Sequence, residues 1–219
     1  MRSMIAALLL LFSSSVFAQP VAVVEDVQGE VTGAEFMDYV YPGMVIKLGP
    51  GGSLVLGYMK SCWRETITGV GTVIVGTGES EVHLGEVKAH KVRCDSSQGQ
   101  LISRDLTGVA ATVLRSVRRS SKSSFPQLTI YGLSPIVDVA GAGKLVVERL
   151  DVKGERYEVD LAAGSVVHGL FYDFAKTDTK LKPGGVYQAS LGSRSMVFMV
   201  DGAAEANFTP IIGRLVHLN

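Results

Sequence analysis

The chain is broken into short apolar runs by turn-forming residues, and this constrains its fold more than any other feature. From Val27 to Cys94 these runs are separated by Pro42-Gly43, by Gly49-Pro50-Gly51-Gly52 and by a series of Gly-x-Gly steps. Pro followed by Gly suits the central positions of a type II turn, where the second residue takes a positive φ. Apolar runs this short, with turns every eight to twelve residues, are the pattern of a β-sandwich or barrel. The 25 glycines in 219 residues are high for a globular chain and fit a protein of many tight turns.

Val21–Val24, just before that stretch, and Gly29–Val31 within it read as strands, with Gly29 as a bulge or bend. Tyr39–Tyr41, Met44–Leu48 and Ser53–Met59 follow. The last has Leu54, Leu56 and Tyr58 on one face and Val55 on the other, which predicts an inner strand. Glu65–Thr68, Thr72–Val75, Glu81–Leu84 and Glu86–Val92 complete the set. Gly69–Gly78 is Gly-rich, but a dinucleotide fingerprint requires a helix next, and Glu79-Ser80-Glu81 and more β pattern follow instead. Gly49–Gly52 lacks the Lys-Ser/Thr of a phosphate loop. Both stretches read as turns.

The order Gly29-Glu30-Val31, then Pro42-Gly43-Met44, then Leu48–Tyr58 (LGPGGSLVLGY), a Gly-x-Gly and a last strand resembles a FecR-like domain over roughly residues 24–81. The resemblance implies an exported β-rich domain of the kind found in periplasmic signalling systems coupled to surface receptors. It rests on turn spacing and carries no catalytic motif. Lys60-Ser61-Cys62-Trp63-Arg64 stands where the family has an acidic-Gly turn, and neither the sigma-binding segment nor the membrane span of the signalling members is matched, so the signalling role does not carry over with it.

The N-terminus reads as a signal peptide over 1–18. Arg2 gives a positive start, Met4–Phe12 is apolar, and Val16-Phe17-Ala18 forms a small-residue cleavage pattern. The apolar run is too short to cross a hydrocarbon core, which takes roughly 20 residues. A periplasmic or secreted location in a bacterial envelope follows as an expectation. In that compartment Cys62 and Cys94, the only cysteines, are expected to form a disulfide. Trp63 beside it is expected to pack on the bond.

After a polar break at Asp95–Gly99, residues 99–125 form a linker. Leu106, Val109, Ala110, Val113, Leu114 and Val117 recur at helical spacing and predict an amphipathic α-helix. Its polar face carries Arg104, Arg115, Arg118, Arg119 and Lys122, an expected interaction surface. Such a helix either packs on a β domain or makes peripheral contact with an anionic membrane. Its stripe lacks the aromatic residues that seat a helix among headgroups, which favours packing.

Residues 126–219 again read as strands: Leu128–Tyr131, Ile136–Val139, Lys144–Leu150, Arg156–Leu161, Ser165–Leu170, Val186–Leu191, Met196–Val200 and Gly213–His217. Their number and spacing predict a sandwich of immunoglobulin-like size, without its Cys and Trp hallmarks. Phe171, Tyr172 and Phe174 are expected in its core. The fold expected is therefore mainly β: a FecR-like β domain over 19–98, one linker α-helix, and a β-sandwich-like domain over 126–219.

Lys plus Arg and Asp plus Glu each number 21, so the balance gives no electrostatic case for nucleic acid. HExxH, GxSxG, SxxK and CxxC do not occur, and the four histidines at 83, 90, 168 and 217 are scattered. The carboxylates read as solvated strand residues. No enzyme, metal or cofactor is expected. The reading is a binding or scaffolding module for an envelope protein or cell-wall polymer. A sensor component, and a hydrolase whose site is assembled from distant residues, stand as alternatives.

Overall fold

The computed structural model describes residues 19–99, 125–139, 141–162, 164–208 and 210–218. The signal segment over 1–18 lies outside them. So do the expected helix and its Arg104, Arg115, Arg118, Arg119 and Lys122. No helix among the described residues is long and apolar enough to cross a membrane.

The first half is built from β1 (Ala22–Gln28), β2 (Val31–Thr32), β3 (Tyr39–Val40), β4 (Val45–Leu48), β5 (Ser53–Tyr58), β6 (Trp63–Thr68), β7 (Gly71–Val75), β8 (Ser80–His83) and β9 (Glu86–Lys91). They form a five-stranded sheet in the order β3-β1-β5-β6-β9 and a four-stranded sheet in the order β2-β4-β7-β8. All their pairings are antiparallel. A core of Val24, Leu54, Leu56, Tyr58 and Ile67 from one sheet and Ile46, Leu48, Val73 and Val75 from the other joins the two. β5 is the central strand of its sheet and buried on both faces, as its apolar residues on both sides require. The turns form where their residue types demand. Met44 N–H donates to Tyr41 O around Pro42-Gly43, with Gly43 at φ +82°, and Gly52 N–H donates to Gly49 O, with Gly51 at φ +70°.

The expected irregularity at Gly29 is displaced. Gly29 sits at φ +66° in the turn after β1, while the register break in the β1–β5 pairing falls between Val24 and Asp26. Strict alternation would put Val24 and Val27 on opposite faces. The extra residue, Glu25, returns Val27 to the core side, so both pack in the same core.

Tyr58 is fully buried, and its hydroxyl pairs with Ser80 Oγ at 2.8 Å. Burial pushes its phenol from the ordinary 10.0 to about 12. A tyrosine in the unfolded chain ionises first, so this stabilisation is complete below pH 10 and is lost as pH rises towards about 12. Denaturant titrations across that alkaline window should show stability falling, and Tyr58→Phe should flatten the fall.

The second half contains β10 (Leu128–Gly132), β11 (Ile136–Asp138), β12 (Gly143–Arg149), β13 (Arg156–Leu161), β14 (Phe171–Asp173), β15 (Val186–Leu191), β16 (Arg194–Glu205) and β17 (Leu215–His217). One sheet runs β10-β16-β15-β12-β13 and the other β14-β11-β17. β10 pairs parallel with β16, and β11 with β17, so both sheets are mixed. Leu128, Ile130, Leu145, Tyr187 and Phe198 from the larger sheet meet Val137, Tyr172 and Val216 from the smaller in a second core.

Ser165–Leu170 is not a strand. Gly164, His168 and Gly169 take φ of +90°, +51° and +69°, and a run with left-handed residues cannot stay extended. A bridge from Val167 to Phe171 closes the turn, and the strand is displaced to Phe171–Asp173. The aromatic cluster is buried as expected: Phe171, Tyr172 and Phe174 are all core residues.

A third apolar cluster joins the halves. Val23, Met37 and Met59 from the first meet Ile136, Phe171, Ile211, Ile212 and Leu215 from the second. The Tyr39 ring packs edge-on against Phe171 at 5.1 Å between centroids.

Candidate functional site

The carboxylates are the main surprise. Glu25, Glu65, Asp138 and Asp173 are buried, not solvated. The Glu65 carboxylate accepts the Ser80 N–H at 3.1 and 3.2 Å and fixes the start of β8 inside the first core. The other three work at or beside the junction of the halves. The bulge in β1 aims Glu25 there: its Oε1 accepts the Ile212 N–H at 3.0 Å, and its Oε2 pairs with Arg64 Nε at 2.7 Å. This join explains a glycine in mid-strand. A Cβ on Gly57 would lie 2.7 Å from Glu25 Oε1 and 2.8 Å from Ile212 Cγ2. Gly57→Ala should therefore cost about 1–3 kcal/mol by overpacking, read as a lower denaturant midpoint.

Asp138 ends β11. Its Oδ2 accepts the Tyr39 hydroxyl at 2.9 Å and lies 2.9 Å from His217 Nδ1, while its Oδ1 is buried without a hydrogen-bond partner among the described residues. Burial first, then the Asp138 charge, raises the Tyr39 phenol well above its ordinary range, so Tyr39 is held as a proton donor. Nearby, His168 Nδ1 meets Asp38 Oδ1 at 2.9 Å, and its Nε2 lies 3.5 Å from Glu35 Oε2. Asp173 and Arg214 form a buried pair described below. Each contact ties one element to another, and the Tyr39–Asp138, His168–Asp38 and Glu25–Ile212 contacts cross between the halves. A carboxylate beside a histidine is also part of a general-base arrangement. Here Asp138 Oδ2 is shared between His217 of its own half and the Tyr39 hydroxyl of the opposite half.

Among the described residues, no three His, Cys, Asp or Glu side chains come together in a way that could hold a metal ion. His83 pairs with Glu81 at 3.1 Å on the surface, and His90 lies exposed on β9. His217 ends its strand as expected, whereas His168 belongs to the left-handed turn.

Cys62 and Cys94 are bonded, with their Cα atoms 5.6 Å apart. The bond ties the turn between β5 and β6 to the chain leaving β9, and Cys94 packs against the junction cluster. Trp63 is half-buried against the first core, with Lys91 Nζ 5.7 Å from its ring centroid.

Exposed large apolar side chains are spread over the described surface, among them Phe125, Leu150 and Val152, and the most exposed of them lies at the opposite end of β6 and β9. Leu84 is 94% exposed and Val70 56%, and Leu84 takes φ +67°. Their two turns touch: a Cβ on Gly71 would lie 2.8 Å from Gly85 N. A leucine in the left-handed region costs about 1–2 kcal/mol, and this one recovers no burial. Such a residue is out of place by folding criteria alone, and a strained outlier of this kind is a pointer to function. The sequence pattern placed Leu84 at the end of a strand and gave no sign of its exposure.

The described residues form a mainly β, disulfide-closed protein whose halves are joined through a polar-studded apolar junction. No family model matches the chain, and no curated protein or solved structure matches it either.

Proposed function

We propose that the protein is an exported, non-enzymatic binding or scaffolding module of a bacterial envelope, and that it engages a protein or cell-wall partner through the adjacent sheet-to-sheet turns at Val70 and Leu84. The observation that carries this reading is the pairing of strain with exposure at Leu84. The Cys62–Cys94 bond supports the exported setting, because disulfides persist in oxidising compartments. The buried Glu25, Asp138 and Asp173 carboxylates tie elements of the fold together, which is consistent with a surface that does the binding.

The mature protein, immobilised, should retain a saturable component from envelope extract or bind isolated sacculi. Val70→Ser with Leu84→Ser should reduce that retention at least tenfold while the fold and disulfide remain. Equal retention by the wild type and the double variant would remove these turns from the account.

The resemblance of residues 24–81 to FecR-like domains supports a second reading, a periplasmic sensor component whose partner spans the membrane. The Pro42-Gly43 and Gly49–Gly52 turns on which that resemblance rests both form. Co-purification with a membrane-spanning signalling protein is the result that would favour it.

A further inference from the structure

The outer edge of β9 is suited to a second copy of this chain. Among the described residues β9 ends its sheet, and all six of its residues, Glu86 to Lys91, are exposed. Its pairing with β6 is regular, from Trp63 opposite Lys91 to Thr68 opposite Glu86. In the next position Val92 N–H donates to Cys62 O at 3.0 Å. Hydrogen-bonded pairs alternate along an antiparallel ladder, so His90, Lys88 and Glu86 direct their backbone groups to β6. Val87, Ala89 and Lys91 therefore direct theirs to the open edge. Neither a proline nor a bulge blocks that edge, two of the usual devices against edge pairing.

We propose that the protein forms a symmetric dimer in which β9 pairs antiparallel with β9 of a second copy, about a twofold axis at Val87. With that centre, the two Val87 residues exchange backbone hydrogen bonds. Glu86 of each copy then stands directly opposite Lys88 of the other, in the non-hydrogen-bonded positions where side chains approach most closely. Ala89 falls opposite Gly85. A twofold axis perpendicular to the sheet must pass through a residue paired with its own copy, so few other registers exist. Centring on Lys88 or Glu86 puts like charges opposite each other, and centring on Ala89 puts Lys88 opposite His90. The Val87 register alone matches opposite charges twice. Edge lysines usually repel a neighbouring strand. In this register Glu86 neutralises that effect for a second copy and leaves it in force against others.

This inference goes beyond the proposed function, because it concerns the β9 edge and needs no foreign partner. The test is sedimentation equilibrium of the purified, disulfide-intact protein over a wide concentration range, with the charge variants E86K and K88E. Both positions are exposed, so the fold should tolerate either change. The wild type should associate to a dimer. Each single variant sets like charges opposite each other at two positions, and its dimer should weaken about tenfold. An equimolar mixture of E86K and K88E restores two opposite-charge pairs in this register and should dimerise again. A wild type that stays monomeric, or single variants that dimerise as tightly as the wild type, would overturn the proposal. The first of those results would leave the edge to a strand from another protein.

Discussion

Asp173→Ala should lower the unfolding free energy by about 3–5 kcal/mol, the effect of stranding a buried charge. Arg214 Nη1 and Nη2 donate to Asp173 Oδ1 and Oδ2 at 2.7 and 3.2 Å, and Nη1 also donates to Ser134 O at 3.0 Å. The two side chains are only 11% and 10% exposed. Without the carboxylate, the guanidinium stays buried with a single carbonyl acceptor among the described residues, where its Nε already has no partner. The same carboxylate accepts the Ala175 N–H at 3.0 Å and caps the short 3-10 turn Phe174–Thr177, so the change also frays that turn. Replacing both partners together, Asp173→Leu with Arg214→Met, should cost much less than the single change, because it leaves no buried charge behind. Chemical denaturation read by intrinsic fluorescence measures both variants. A single variant with an unshifted midpoint would show that water reaches Arg214.

Removal of the disulfide should have an effect of similar size. Cys62 and Cys94 are 32 residues apart in sequence, and freeing a loop of that length costs about 3–4 kcal/mol in the chain-entropy model. Cys62→Ser with Cys94→Ser should lower the denaturant midpoint accordingly. Exposure to a thiol reductant should reproduce the loss in the wild type and leave the double variant unaffected. Cys94 leads from β9 into the junction cluster, so its release loosens the contact between the halves as well as the sheet edge. Intact mass after alkylation without reductant should show no added label on the native protein. A wild type equally stable in reductant would contradict the structural role given to the bond.

Much of the strand framework could be read from the sequence, because turns obey local rules. Pro42-Gly43 and Gly49–Gly52 fold as their residue types require, and β5 is buried on both faces as its apolar residues imply. The cysteine pairing followed from there being two cysteines and one compartment. What local pattern could not reveal is long-range. Nothing around Glu25 indicates a partner at Ile212, since the contact depends on a bulge and on a turn from the far end of the chain. The same holds for Tyr39 and Asp138, which lie 99 residues apart. Ser165–Leu170 reads as a strand because apolar residues recur there, and the left-handed backbone at Gly164, His168 and Gly169 overrides them. The exposure of Leu84 was missed for a related reason. The basic amphipathic pattern at Arg104–Lys122 lies outside the described residues, and the exposure of Leu84 depends on where two sheet-to-sheet turns meet.

That exposure carries the functional reading, and Leu84→Gly tests it most directly. Glycine takes φ +67° without strain, so a position kept for binding should gain about 1 kcal/mol of stability while losing its partner. The measurement is denaturant stability and partner retention on the same protein. Higher stability with retention reduced at least tenfold is the result predicted. Unchanged retention, at any stability, would contradict the assignment of Leu84 to the binding surface.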